Sequence, residues 1–299
     1  KKNWGFCITY NEFIKMSMGD YHVKIKSKFK KGKIVIGESI LKGRTKREIL
    51  LSSYLCHPSL ANNELSGPIV LTYLYYNLKK LNLNYTYRFI INPETIGSLC
   101  YLSSNFQNLK DNVVGGIVLT CLGGPKQKLS YKTSKNNNSI LDKFFIRKKS
   151  EKKIKLREFD AYGGSDERQY NSNMIELPVG QMARTVYGEY KEYHNSNDNK
   201  EFMNINQLNK SCEEILKLIL EFDGQDIYFN TKGYGELHLG NKGLYPTINS
   251  QGNKINNSYI TNPKMQKILL NLLCFSDSKH SLEDISLKIN ENLEDVKHV

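Results

Sequence analysis

The chain has 299 residues, 39% of them hydrophobic, and a formal net charge of +13. That is enough apolar side chain to bury one large core, with or without a small second module. No apolar run reaches the ~20 residues of a membrane span, and "KKNWGFCITY" is not a signal peptide, so the cytoplasm is the expected compartment.

The chain opens without a methionine and reads as a portion of a longer sequence. Residues 20–42 alternate apolar and polar side chains, with Lys31-Gly32 between the two halves, which predicts a half-exposed two-stranded ribbon. Continuous apolar runs follow at 48–55, 85–93, 115–123 and 176–183, as expected of strands buried on both faces. Helical patterns separate them at 68–81, 137–149 and 204–222; Pro68 suits the first position of one, and Asn204 or Asn206 the cap of another. Strands alternating with helices argue for an α/β sandwich over residues 1–246. The polar, aperiodic stretch 247–262 reads as a linker. Residues 263–299 then hold two helical patterns, the second opening on a capping-box pair, Ser281 and Asp284.

Basic residues are scattered through stretches such as "KIKSKFKKGK" (24–33) and "RKKSEKKIK" (147–155), not gathered into one stripe. Nucleic acid is therefore not the expected partner. The six cysteines, Cys7, Cys56, Cys100, Cys121, Cys212 and Cys274, form no C-x-x-C pair. In a chain of this length they read as reduced core thiols, not as a disulfide framework or a structural zinc site.

Four segments at predicted strand ends carry most of the reactive side chains. They are His57 in "CHPSLANNELSG", Glu94 in "NPETIGSLCYL", Asp166 and Glu167 in "YGGSDERQY", and His194 in "GEYKEYHNSNDN". Zinc hydrolase sites are built from such parts: two or three His/Asp/Glu ligands from separate loops, and a carboxylate to take a proton from water. Each residue also has a structural reading. His57 and His194 suit hydrogen-bonded loop or turn positions, Glu94 suits a helix cap, and Asp166 and Glu167 suit a surface ion pair with Arg168. Spacing alone leaves both readings open.

The order "HPS…ANNELSG … PETIGS … SDERQY … YHNSNDN" resembles the zinc aminopeptidase superfamily that includes bacterial leucyl aminopeptidases and glutaminyl cyclases. It is closer still to the bacterial aminopeptidase-like proteins of surface-polysaccharide biosynthesis clusters, which carry a C-terminal winged helix. The resemblance implies a three-layer α/β sandwich with a mainly parallel mixed sheet, the start of a winged helix after it, and a further domain ahead of Lys1. It implies metal ligation by His57, by Asn63 at the position of the bridging aspartate, by His194, and by Asp166 at the aspartate of the "S-D-H" loop. Glu94 falls where the superfamily places its proton-shuttling glutamate. Tyr162, Arg168 and Tyr193 are expected to line a pocket that receives a small-molecule or aminoacyl substrate.

The departures carry equal weight. Position 63 is an amide followed by Glu64, a single glutamate remains at 94, and Thr120 and Cys121 stand where another ligand aspartate is expected. The expectation is one zinc at most, weakly held, in an amide hydrolase of aminopeptidase type. The competing expectation is a binding module that keeps the fold without the chemistry.

Overall fold

The structure is a computed structural model and describes residues 5–151, 153–235, 237–242, 244 and 262–299. Its frame is a seven-stranded mixed sheet in the order β1-β3-β2-β4-β7-β5-β6. The strands are β1 (Gly37–Leu41), β2 (Glu48–Tyr54), β3 (Thr86–Asn92), β4 (Val113–Leu119), β5 (Ser130–Lys132), β6 (Lys155–Arg157) and β7 (Val179–Ala183), and a single helical turn, α1 (Tyr10–Phe13), precedes them. β3, β2, β4 and β7 run parallel, whereas β1 is antiparallel to β3 and β5 to β7.

The apolar runs become strands because helices cover both faces. On one side α2 (Ser66–Leu78), α4 (Ile140–Ser150) and α6 (Ile205–Asp223) pack Leu74, Phe145 and Ile219 against Ile49, Leu51 and Ile117. On the other, α3 (Ile96–Asn112) and the short α5 (Glu167–Tyr170) pack Leu102 and Tyr170 against Leu50 and Val118. Successive residues of β2 thus enter opposite cores, and every residue of the strand is buried. α6 is capped by Asn204, whose side chain accepts from the N–H groups of Asn206 and Gln207.

The expected ribbon at 20–42 does not form. No strand occurs between residues 20 and 36, and only Gly37–Leu41 extends along β3, with Ser39 opposite Phe89. Val23, Ile25, Phe29 and Val35 are exposed. An alternating pattern makes a ribbon only where one face has something to pack against, and an isolated hairpin in water is marginal. The cysteine expectation is corrected in part: all six are free thiols, but only Cys121 and Cys212 are buried. Within the seven-stranded sheet, β5 and β6 escaped the sequence reading because each is three residues long and carries lysine or arginine. α2 begins at Ser66, placing Pro68 inside its first turn, and follows a turn of π-helix at Ala61–Leu65.

The C-terminal module comprises α7 (Pro263–Phe275), β9 (Asp277–Ser281), α8 (Leu282–Ile289) and α9 (Leu293–His298) around Ile268, Ile285 and Val296. Its strand pairs with β8 (Ile227–Phe229), which precedes the stretch read as a linker. That stretch, apart from Asn262, lies outside the described residues. The capping box at Ser281 and Asp284 is present, and Arg147 of α4 reaches Asp284 and, at 3.3 Å, Glu283 in the first turn of α8. Among the described residues no helix is long and apolar enough to cross a membrane.

Candidate active site

At the end of β2 the chain leaves the sheet and must turn at once into α2. Ser59 takes a left-handed backbone conformation (φ 69°), and Ala61–Leu65 form the π-helical turn. The helix approaches so closely that a Cβ on Gly67 would stand 2.2 Å from Ser53 Oγ and 2.4 Å from the Leu119 carbonyl oxygen. Only glycine fits there. Asn62 and Ser66 tie the turn to the exit of β4: Gly123 N–H donates to Asn62 Oδ1 at 2.9 Å, and Leu122 N–H to Ser66 Oγ at 2.9 Å. Asp198 accepts from the N–H groups of Asn62 and Asn63, at 2.6 and 2.9 Å. The motif "ANNELSG" is thus mostly a clamp that fixes where His57 and Asn63 stand.

The parallel strands deliver their loops to one end of the sheet, the usual place for sites in open α/β sheets. His57 and His194 lie with ring centroids 5.3 Å apart. His57 Nδ1 is 2.9 Å from Glu64 Oε2, and its Nε2 is 3.6 Å from Glu94 Oε2. Ser165 Oγ donates to the other oxygen of Glu94. Tyr193 stacks on the His194 ring at 3.9 Å and 18°, and Asn63 Nδ2 lies 3.4 Å from His194 Nε2. Burial raises Glu64 above the ordinary carboxylate value, against the lowering effect of its hydrogen bonds to the His57 backbone and ring. Burial, and then the neighbouring His57, hold His194 below the ordinary imidazole value. The lowered value favours a neutral His194 ring, the form in which histidine binds a metal.

Four non-glycine residues around this pocket have positive φ: Ser59, Thr95 (62°), Cys121 (52°) and His194 (56°). Such conformations cost of order 1–3 kcal/mol each and collect where surrounding structure enforces them, often at sites.

The floor of the pocket is neutral. Tyr54 Oη and Thr120 Oγ1 share a 2.5 Å hydrogen bond, and Tyr54 Oη also donates to Asn63 Oδ1 at 3.5 Å. Cys121 Sγ donates to the same amide oxygen at 3.4 Å. Burial drives the Tyr54 hydroxyl well above its usual value and the Cys121 thiol up to about 11. Two dications sharing one bridge need a carboxylate there, so these residues do not fit a dinuclear centre. One cation is different. Two imidazoles and the Glu94 carboxylate converge, with the Cys56 thiol within ligand spacing of His57 and Glu94. That donor set fits a single zinc ion.

The other expected site residues are placed as follows. Asp166 is fully buried: its Oδ1 accepts from Thr95 N–H (2.7 Å) and Ser98 Oγ (3.0 Å), and its Oδ2 from Asn92 Nδ2 (3.0 Å). Burial pushes it up to about 6. It anchors the loop that carries Glu94. Glu167 is no surface partner of Arg168; it is buried against Lys132 at 2.5 Å, and Gln181 and the Ser165 N–H donate to it as well. Arg168 gives its guanidinium to the carbonyls of Ser165 and Ala161, at 3.3 and 3.4 Å. Tyr162 is exposed, and Tyr193 lies against His194. Sequence reasoning missed Asp198, Ser165 and Lys132. The first two sit inside segments already singled out, whereas nothing in the sequence near Lys132 pointed to a buried partner.

A cavity of about 520 Å³ opens beside His57, lined by Leu55, Leu60, Leu65 and Lys200 among others. A larger one, about 860 Å³, lies in the C-terminal module between Phe229, Leu239, Leu270 and Leu273, and shares no residue with the first. Volume does not choose the site; the convergence of titratable groups does.

Fold and loop set together define an aminopeptidase-like α/β domain joined to a winged helix-turn-helix module. Residues 15–225 match the family described as a domain of unknown function, DUF4910, and residues 226–299 match a winged helix-turn-helix; the chain belongs to the DUF4910 family. It is 36% identical, over its whole length, to a Clostridium acetobutylicum protein named for polysaccharide biosynthesis and an aminopeptidase-like domain, and spans 66% of that protein's length. A crystal structure of a Clostridium acetobutylicum protein named as a peptidase superposes with a TM-score of 0.72 at 33% identity, covering all of this chain and 65% of that one. A zinc aminopeptidase from Bacillus subtilis, BSAP, superposes with a TM-score of 0.51 at 17% identity, covering 62% of this chain and 49% of its own; this shows the fold alone.

Proposed function

We propose that the chain is a metal-dependent amide hydrolase of aminopeptidase type that works with one zinc ion on an aminoacyl or amide-bearing sugar intermediate. The observation that carries it is the meeting of His57, His194 and Glu94, which come from three separate strand-end loops. The sugar-linked substrate rests on the name of the Clostridium acetobutylicum relative.

His57 and His194 would hold the ion with Glu94 beside them, whereas Asn63, expected as a ligand, gives its amide oxygen to Tyr54 and Cys121 and turns its nitrogen toward His194. A bound zinc supplies a water of lowered pKa and polarises a carbonyl. Everything else is the work of the protein. Glu64 fixes the His57 ring through Nδ1 and leaves Nε2 to the pocket, the arrangement in which a carboxylate orients a metal-binding imidazole. Tyr193 holds His194 by stacking. Glu94, with one oxygen held by Ser165 and the other facing His57, takes a proton from water and returns it to the leaving amine. Asp166 positions that glutamate through Thr95 and Asn92. Arg168, Tyr162 and Tyr193 would receive the substrate.

A second reading is favoured by the neutral floor of Tyr54, Asn63, Thr120 and Cys121: a non-catalytic binding module on the same fold. Turnover of zinc-loaded protein on a panel of aminoacyl amides and N-acylated amino sugars separates the two. Hydrolysis lost in Glu94→Gln, assayed at a zinc concentration that keeps the variant loaded, supports the enzyme; no turnover by the zinc-loaded wild type supports the binding module. Nucleic acid has no part in either reading. The first turn of α9 carries Glu294 and Asp295, and Lys264 is paired to Asp295 at 2.6 Å. Gel shift on duplex DNA at moderate salt is expected to show no complex.

A further inference from the structure

We infer that Cys56 is a ligand of the cation, so that a thiolate supplies the negative charge that Asn63 does not. The inference rests on the metal-binding part of the proposal above and not on hydrolysis. One ligand atom each from Cys56, His57 and Glu94 lies within 4.8 Å of the others, and this is the single group of three or more such residues among the described residues.

The placement follows from strand register. β2 and β3 are parallel neighbours with Tyr54 beside Asn92, and the pairing continues as Leu55 N–H donates to the Asn92 carbonyl at 3.0 Å. Two residues beyond that pair, Cys56 and Glu94 therefore stand side by side at the mouth of the pocket. The Glu94 N–H points at Cys56 Sγ from 3.2 Å, and the sulfur lies 3.5 Å from His57 Nδ1. That nitrogen is the one Glu64 holds, so the sulfur sits beside a ring whose Nε2 faces Glu94 at 3.6 Å, and the three side chains stand close enough to share one ion. The other donors are already fixed, His57 by Glu64 and Glu94 by Ser165, whereas Cys56 is exposed and receives only weak contacts. Cys121 is the wrong thiol for the task, being fully buried and engaged with Asn63.

Charge and softness point the same way. Two neutral imidazoles and one carboxylate leave a dication with a net +1; a thiolate brings the centre to neutrality, and sulfur is a preferred zinc donor.

Cobalt(II) titration of metal-free protein tests this, because cobalt bound by thiolate shows an intense near-ultraviolet charge-transfer band that nitrogen and oxygen ligands do not give. The wild type should take up one cobalt with that band. Cys56→Ser should lose it and bind zinc more weakly by at least the ~10–100-fold that even an outer-shell partner costs. Cys100→Ser, which removes another exposed thiol, should keep both, and an unchanged melting temperature for metal-free Cys56→Ser would show that the fold is intact. Cobalt bound without the band, or a Cys56→Ser protein that keeps band and affinity, overturns the inference while leaving a metal site. No cobalt bound to the wild type overturns it together with the metal-dependent reading. The band without any turnover sustains the inference and sinks only the hydrolase.

Discussion

The two sides of the pocket are built by the same device and carry opposite chemistry. Toward β2 and β3 the strand ends present Cys56, His57 and Glu94, with Glu64 behind them. Toward β4 they present Thr120 and Cys121, closed onto Asn63 and Tyr54 in a network of neutral hydrogen bonds. The backbone is equally well held on both sides, by Asp198 and Ser66 as much as by the sheet itself. Delivery of a side chain to a site is therefore separable from the charge the side chain brings. A fold can keep the first and change the second.

The largest expected effect lies on the charged side. His57→Ala or His194→Ala should abolish zinc retention through desalting, measured by elemental analysis; retention by either variant would remove that ring from the ligand set. Next comes the frame that both sides share. Glu167→Ala strands Lys132 in a position only 2% exposed and should cost about 3–5 kcal/mol, read as a lower urea midpoint at unchanged slope. A loss under 1 kcal/mol would mean that the pair is not what holds the loop carrying Ser165 and Asp166. Asn63→Asp attacks the comparison directly, by placing one charge on the neutral side. Zinc affinity should rise about tenfold, or ~1.4 kcal/mol, while stoichiometry stays at one, because Thr120 and Cys121 still offer no second acid. A second equivalent of zinc in that variant would show that the amide alone separates the two sides. The smallest effect is a control on α6: Asn204→Ala should cost about 1 kcal/mol and leave zinc content unchanged.

The fold was legible where burial dictates composition. "EILLSSYL" can be little other than a strand covered on both faces, and Asn204 ahead of an apolar periodic run marks its own helix. It was illegible where pattern lacked a partner, as at residues 20–36, or where a strand was too short to show a pattern, as at Ser130–Lys132. The site was legible as far as its loops: the segments holding His57, Glu94 and His194 converge as their order suggested. What those loops contain divides less evenly. Asp166, expected beside the metal, spends both oxygens on Thr95, Ser98 and Asn92, since a buried carboxylate next to a helix start takes the donors nearest to it. Cys56 went unnoticed as a candidate because its relation to Glu94 exists only through the register of two parallel strands.

The account turns on the number of cations the pocket holds. Zinc content of the wild-type protein, equilibrated with excess zinc and then desalted, measures it most directly. One zinc per chain is the predicted result. Two would show that the neutral floor accepts a cation after all; none would leave the pocket a binding site without a metal.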